Sequence, residues 1–102
     1  MEMESILTEL KDLLRSTKVQ VQLKQDVDVI ETTIIGSAYS IEIRRVLGEQ
    51  RYLAHIVKCG VSIDNFDSTN IRELMLVCLQ RIVNLLGGER ELIEQNLRQL
   101  IE

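Results

Sequence analysis

The pattern of apolar and polar positions changes period several times along the chain, and each change marks a predicted element. Residues 3–16 place Ile6, Leu10, Leu13 and Leu14 on one helical stripe, with Leu7 beside it and Glu9, Lys11, Asp12 and Arg15 elsewhere. Acidic Glu2 and Glu4 at the start and basic Arg15 and Lys18 at the end match the helix dipole. From Lys18 the period falls to two. In KVQVQLK, Val19, Val21 and Leu23 alternate with Gln20, Gln22 and Lys24, which predicts a half-buried strand over 18–24. The β-branched run DVDVIETTII predicts a strand over 27–35. Two further strands, 38–46 and 51–58, follow Gly36-Ser37 and Gly48-Glu49, which are read as two-residue hairpin loops led by glycine, the position of a type II′ turn that needs a positive φ.

These turns set a register. A loop at Gly36-Ser37 places Ile34 opposite Tyr39, Thr32 opposite Ile41, Ile30 opposite Ile43 and Asp28 opposite Arg45. A loop at Gly48-Glu49 places Ile43 opposite Ala54, Ile41 opposite Ile56 and Tyr39 opposite Lys58. One face then collects Ile30, Ile34, Tyr39, Ile41, Ile43, Tyr52, Ala54 and Ile56, and a Gln25-Asp26 turn adds Val19, Val21 and Leu23 to it. Two turns that independently generate one apolar face reinforce each other.

Beyond Cys59-Gly60 the segment VSIDNFDSTN reads as polar and turn-forming, anchored by Val61, Ile63 and Phe66. Asn70 followed by Glu73 resembles a capping box and opens a helix over 71–86, which Gly87-Gly88 is expected to end. A last helix over 89–101 carries Leu92, Ile93, Leu97, Leu100 and Ile101 on one side. The prediction is an α+β fold in the order α-β-β-β-(β)-α-α, an antiparallel three- or four-stranded meander with helices packed on one face, forming a single domain over 1–102.

Composition narrows the function. Leu, Ile, Val and Phe account for 37 of 102 residues, enough for a core, whereas proline and tryptophan are absent and aromatics make up 3%. A formal net charge of −4 argues against a general nucleic-acid binder. Cys59 and Cys78 form no CxxC, the start of the chain is acidic rather than basic, and no apolar run is long enough to span a bilayer. These features point to a cytoplasmic, reducing setting with no membrane contact.

Three clusters bear on chemistry. Glu31, Glu42 and His55 form a row across three strands on the far face, able in principle to bind a divalent metal or exchange a proton, but read first as a solvated charge row compensated by His55, Arg44 and Arg51. The single histidine must serve any Cys–His or Ser–His pair, Cys78 falls on a core stripe, Cys59 has no surrounding signature, and no glycine-rich phosphate loop occurs. No catalytic residue, cofactor or metal site is expected, and the chain reads as non-enzymatic. Arg44, Arg45, Arg51 and Lys58 lie on or beside one hairpin and are possible phosphate contacts in an alternative, nucleic-acid-associated reading. The element order resembles that of double-stranded-RNA-binding domains, but Asn70, Ile71, Arg72 and Glu73 stand where that family carries lysines. In architecture and size alone it also resembles small nucleoid-associated proteins and the acidic dimeric chaperones of type III secretion.

The surplus of apolar groups suggests a partner. On the 71–86 helix, Ile71, Leu74, Met75, Cys78, Ile82, Leu85 and Leu86 form the core stripe, leaving Leu76, Val77, Leu79 and Val83 off it. The far sheet face carries Val27, Val29, Val46, Leu53 and Val57 where polar groups are expected. The leading expectation is a small acidic protein-binding module of adaptor, chaperone or inhibitor type, acting as a homodimer through Val46, Leu53, Val57, Leu76, Leu79 and Val83.

Overall fold

The computed structural model describes residues 3–17, 19–46 and 48–101, with side chains as far as Glu89 and then at Gln95, Leu97 and Arg98. In chain order the elements are α1 (Met3–Arg15), β1 (Val21–Gln25), β2 (Val29–Ile34), β3 (Tyr39–Arg45), β4 (Tyr52–Lys58), β5 (Val61–Ser68) and α2 (Ile71–Ile101). The strands form one antiparallel sheet in the order β1-β2-β3-β4-β5, a five-stranded meander in an α+β fold. Both helices share one core with one face of that sheet. Ile6, Leu10, Leu13 and Leu14 of α1 join Ile30, Ile34, Tyr39, Ile41, Ile43, Ala54 and Ile56 of the sheet and Ile71, Leu74, Met75, Cys78, Leu79 and Ile82 of α2. Val19, Val21 and Leu23 pack against its margin.

The central register agrees with the expected one: Ile30 pairs with Ile43, Thr32 with Ile41, Ile43 with Ala54, Ile41 with Ile56 and Tyr39 with Lys58. The turns that produce it differ. Ser37 N donates to Ile34 O and Glu49 N to Val46 O, each at 3.3 Å, so Gly36 (φ 85°) and Gly48 (φ 78°) stand third in four-residue turns rather than first in two-residue loops. Both loop lengths give the same strand pairing, so the register survives the change of turn.

The first hairpin also departs from expectation. Its turn lies not at Gln25-Asp26 but at 26–29, closed by Asp26 N donating to Val29 O at 2.8 Å, with Val21 opposite Ile34 and Gln25 opposite Ile30. The displacement is an even number of residues, so Val21 and Leu23 keep the core face. Val27 becomes an exposed loop tip, and Asp28 precedes β2 instead of pairing with Arg45. β1 begins at Val21 rather than at residue 18, and Lys18 lies outside the described residues.

Two larger corrections concern the second half. The segment read as a polar turn is a strand, β5, joined to β4 by a two-residue Cys59-Gly60 loop with φ of 52° and 80°, the paired positive angles of a type I′ hairpin. A register shift at Ile56/Val57 makes Ile63 an extra residue in β5. That bulge breaks the alternation between Val61, Ile63 and Phe66 and hides the strand from periodicity. The second correction is that Gly87-Gly88 does not end a helix. α2 continues through it to Ile101, and neither glycine has a positive φ. Glycine lowers helix propensity without forbidding the helix, and a C-terminal stop needs the left-handed conformation that these two residues lack. The predicted stripe of Leu92, Ile93, Leu100 and Ile101 lies outside the described side chains.

At its other end α2 starts as expected from Asn70, whose Oδ1 accepts from Arg72 N and Glu73 N, both at 3.1 Å. The reciprocal half of the capping box is supplied differently: Asn70 N donates to Ser68 Oγ at 3.0 Å.

Two stability measurements test this architecture. A Cβ added at Gly87 meets nothing within 4 Å, so Gly87→Ala should stabilise the chain by roughly 0.5–1 kcal/mol in urea unfolding. A loss of stability would instead mean a positive-φ helix end at this position. Thr32 is fully buried and its Oγ1 finds no hydrogen-bond partner among the described residues. Thr32→Val keeps the shape and removes the stranded hydroxyl, so it should raise stability by about 1 kcal/mol. An equal or lower urea midpoint would show that the hydroxyl is satisfied.

Candidate functional site

The side of α2 that faces away from the sheet is the first candidate. Sequence places Leu76, Val77 and Val83 off the core stripe, and they are 48%, 41% and 52% exposed. Leu79, expected beside them, is buried at 7% and belongs to the core, because the sheet and α1 together cover a wider arc of α2 than one stripe. Leu85 and Leu86 are half-buried against the core. Farther along, Leu97 is 53% exposed. Among the described side chains of α2, four large apolar ones therefore meet solvent.

The second candidate is the open face of the sheet. Glu31 lies opposite Glu42, and Glu42 opposite His55, as the register predicts. The row extends to Lys24 on one side and Asn65 on the other, so a cation and an amide flank the adjacent carboxylates and imidazole. His55 Nδ1 is 3.4 Å from Ser62 Oγ. Among the described residues no three His, Cys, Asp or Glu side chains are gathered so as to hold a metal ion. Leu53 and Val57 are half-buried on this face beside the charges, and Val46 lies half-buried at the end of β3. The apolar groups are interrupted by charge and form no continuous patch.

The four basic residues of the hairpin do not converge. Lys58 stands at the opposite end of β4 from Arg51, and Arg44 and Arg45, as neighbours in β3, point to opposite faces. Arg51 is paired with Asp67 at 3.1 Å. Arg45 and Arg51 do line one open cleft of about 350 Å³ with Gln50, Tyr52 and Thr69. Arg44 and Arg45 share a neighbouring one with Met3, Asp28 and Gly48. Carboxylates accompany the guanidinium groups at both places, which weakens the local field that a polyphosphate chain requires.

The two thiols differ in setting. Cys78 is buried in the core, and burial, helped by the charge of Asp64, pushes its thiol up to about 12. Cys59 is exposed in the tight turn after β4. Asp64 is held by Arg81 of α2, Nε to Oδ2 at 3.2 Å, tying β5 to the helix.

A further cluster had no sequence signal beyond the predicted Tyr39–Lys58 pairing. Glu89, one residue past the glycine pair, accepts from Tyr39 Oη and from Lys58 Nζ, each at 2.5 Å, and Lys58 Nζ lies 5.4 Å from the Tyr39 ring centre. The Lys58 hydrogen bond, then that of Tyr39, holds the Glu89 carboxyl below its ordinary value. The same bonds raise the Lys58 ammonium and the Tyr39 phenol above theirs. This cluster clamps the middle of α2 to the ends of β3 and β4, and the helix that continues past Gly88 carries Glu89 there. No protein-family model, curated protein or solved structure matches this chain.

The clamp has a definite pH signature. A carboxyl whose value is lowered on folding stabilises above its unfolded value, and that stabilisation fades as pH falls through the lower folded value. Glu89→Gln should therefore lower the melting temperature at neutral pH, and the gap to the parent should close below the ordinary carboxylate range. A constant gap across a pH series would assign the loss to packing instead.

Proposed function

We propose that the chain is a non-enzymatic protein-binding module that acts as a homodimer, its two copies meeting through the outer side of α2. The exposure of Leu76 and Val83 carries this reading. The opposite side of the helix already anchors it through Ile71, Leu74, Met75, Cys78 and Ile82, so these outer groups are surplus to holding α2 on the sheet. Seven residues separate Leu76 from Val83 and four more lead to Gly87, which sets all three along one line of the helix. Burying one leucine or valine side chain is worth about 1.5–3 kcal/mol, and a two-fold axis doubles each contribution.

Another protein is the further partner in this reading. The separation of Arg44, Arg45, Arg51 and Lys58, with Arg51 held by Asp67 and Lys58 by Glu89, favours a protein over a nucleic-acid partner. Two free cysteines, Cys59 exposed and Cys78 buried, suit a reducing cytoplasmic setting. No helix of the described residues is long and apolar enough to cross a membrane.

Light scattering over a concentration series tests the dimer. The parent chain should show twice the monomer mass at high micromolar concentration, and Val83→Asp should return it to the monomer with an unchanged circular-dichroism spectrum. A monomeric parent would remove the dimer from this reading.

A further inference from the structure

The geometry points to the outer edge of β1 as a docking site for an extended acidic segment of another protein, added as a sixth strand. The inference rests on the protein-binding reading of the chain and is independent of the dimer.

The sheet is open, so β1 and β5 are its two edges. They are not equivalent. β5 carries the bulge at Ile63, and its Asp64 and Asp67 are fastened to Arg81 and Arg51, features that blunt an edge against pairing. β1 has no bulge in its pairing with β2 and no acidic residue. Gln20 O accepts from Ile35 N at 3.0 Å, and Asp26 N donates to Val29 O at 2.8 Å, so the even-numbered residues bond to β2. Antiparallel alternation then turns the backbone groups of Val21, Leu23 and Gln25 outward, a row of donors and acceptors for an incoming strand.

A shallow groove of about 490 Å³ runs beside this edge between α1 and β1, lined by Leu14, Val19, Val21, Leu23, Lys11 and Arg15. Its floor is apolar and its rim is cationic, with exposed Lys24 on the other face of β1. Asp12 lies 3.7 Å from Arg15, but both are well exposed and such a pair offsets little. The groove therefore suits a strand whose apolar residues alternate with glutamate or aspartate. A second copy of this chain fits less well, because its own β1 edge would bring the same three cations to the junction twice.

Amide-resolved NMR with an eight-residue peptide alternating valine and glutamate tests the site, with a valine–lysine peptide as control. The valine–glutamate peptide should shift the amides of Val21, Leu23 and Gln25 and slow their exchange. Lys11→Glu combined with Arg15→Glu should weaken binding by about tenfold. Gln25→Pro removes one outward N–H without costing a β2 bond, so it should abolish the β1 shifts and leave the β3 and β4 resonances in place. Absence of β1 shifts at millimolar peptide, or equal binding of the lysine peptide, would overturn the proposal. So would β1 protection that grows with protein concentration alone and vanishes in Gln25→Pro, since a second copy would then occupy the edge. Repeating the titration with Val83→Asp separates this site from the α2 contact: peptide binding by a monomeric variant upholds the groove alone.

Discussion

Burial of one face of a twisted five-stranded sheet under two helices is the constraint on which every other feature of this molecule depends. Ile6, Leu10, Ile30, Ile41, Ile43, Ile56, Leu74 and Met75 are all within about one per cent of full burial, and they come from α1, three strands and α2. Each such side chain contributes about 1.5–3 kcal/mol on leaving water, against the chain entropy lost on ordering. No one of these elements could retain its apolar face alone. Because side chains alternate along a strand, committing the isoleucines to the covered face commits Glu31, Glu42 and His55 to the open one. The charge row is thus a consequence of the core.

The second consequence concerns α2. A helix of 31 residues is about 46 Å long, whereas the eight-residue β5 spans about 27 Å. The sheet can cover only part of such a helix. Its first three turns are held by core side chains, Arg81 fastens it to Asp64, and Glu89 fastens it to Lys58 and Tyr39. These polar ties sit at the margin of the apolar contact, where water still reaches them. Their role is directional: they set where the helix crosses the sheet, while the core supplies the attraction. The groups left on the outer side, Leu76, Val77 and Val83, are what the covered arc does not include.

Legibility followed the strength of local signals. Strict alternation and β-branched composition made the strands from Val29 to Lys58 readable to within a residue or two, and their register followed from parity even though the turn chemistry differed. The same parity argument kept Val21 and Leu23 on the core face despite a turn displaced along the chain. β5 escaped because one extra residue inverts its pattern and two aspartates dilute it. A single stripe places Leu79 outward because it underestimates the arc that a sheet and a neighbouring helix cover together. Of the candidate sites, the outer α2 groups and the Glu31–Glu42–His55 row were visible in advance. The Glu89 clamp joins residues far apart in sequence, so no spacing rule could reveal it. The β1 groove is lined by residues between Lys11 and Leu23, but its shape depends on how α1 sits beside β1.

By itself the sequence determined the period of each segment, the α+β class, the apolar face of the meander and the cap at Asn70. These follow from interactions within a few residues or from side-chain parity, both written directly in the order of amino acids. Only the tertiary structure decided that helix α2 passes through Gly87-Gly88. Glycine's propensity penalty of about 1 kcal/mol is a local preference, and the Tyr39–Lys58–Glu89 contacts that accompany the continuous helix come from distant strands. It likewise decided which apolar residues stay uncovered, because exposure depends on how far one element reaches across another.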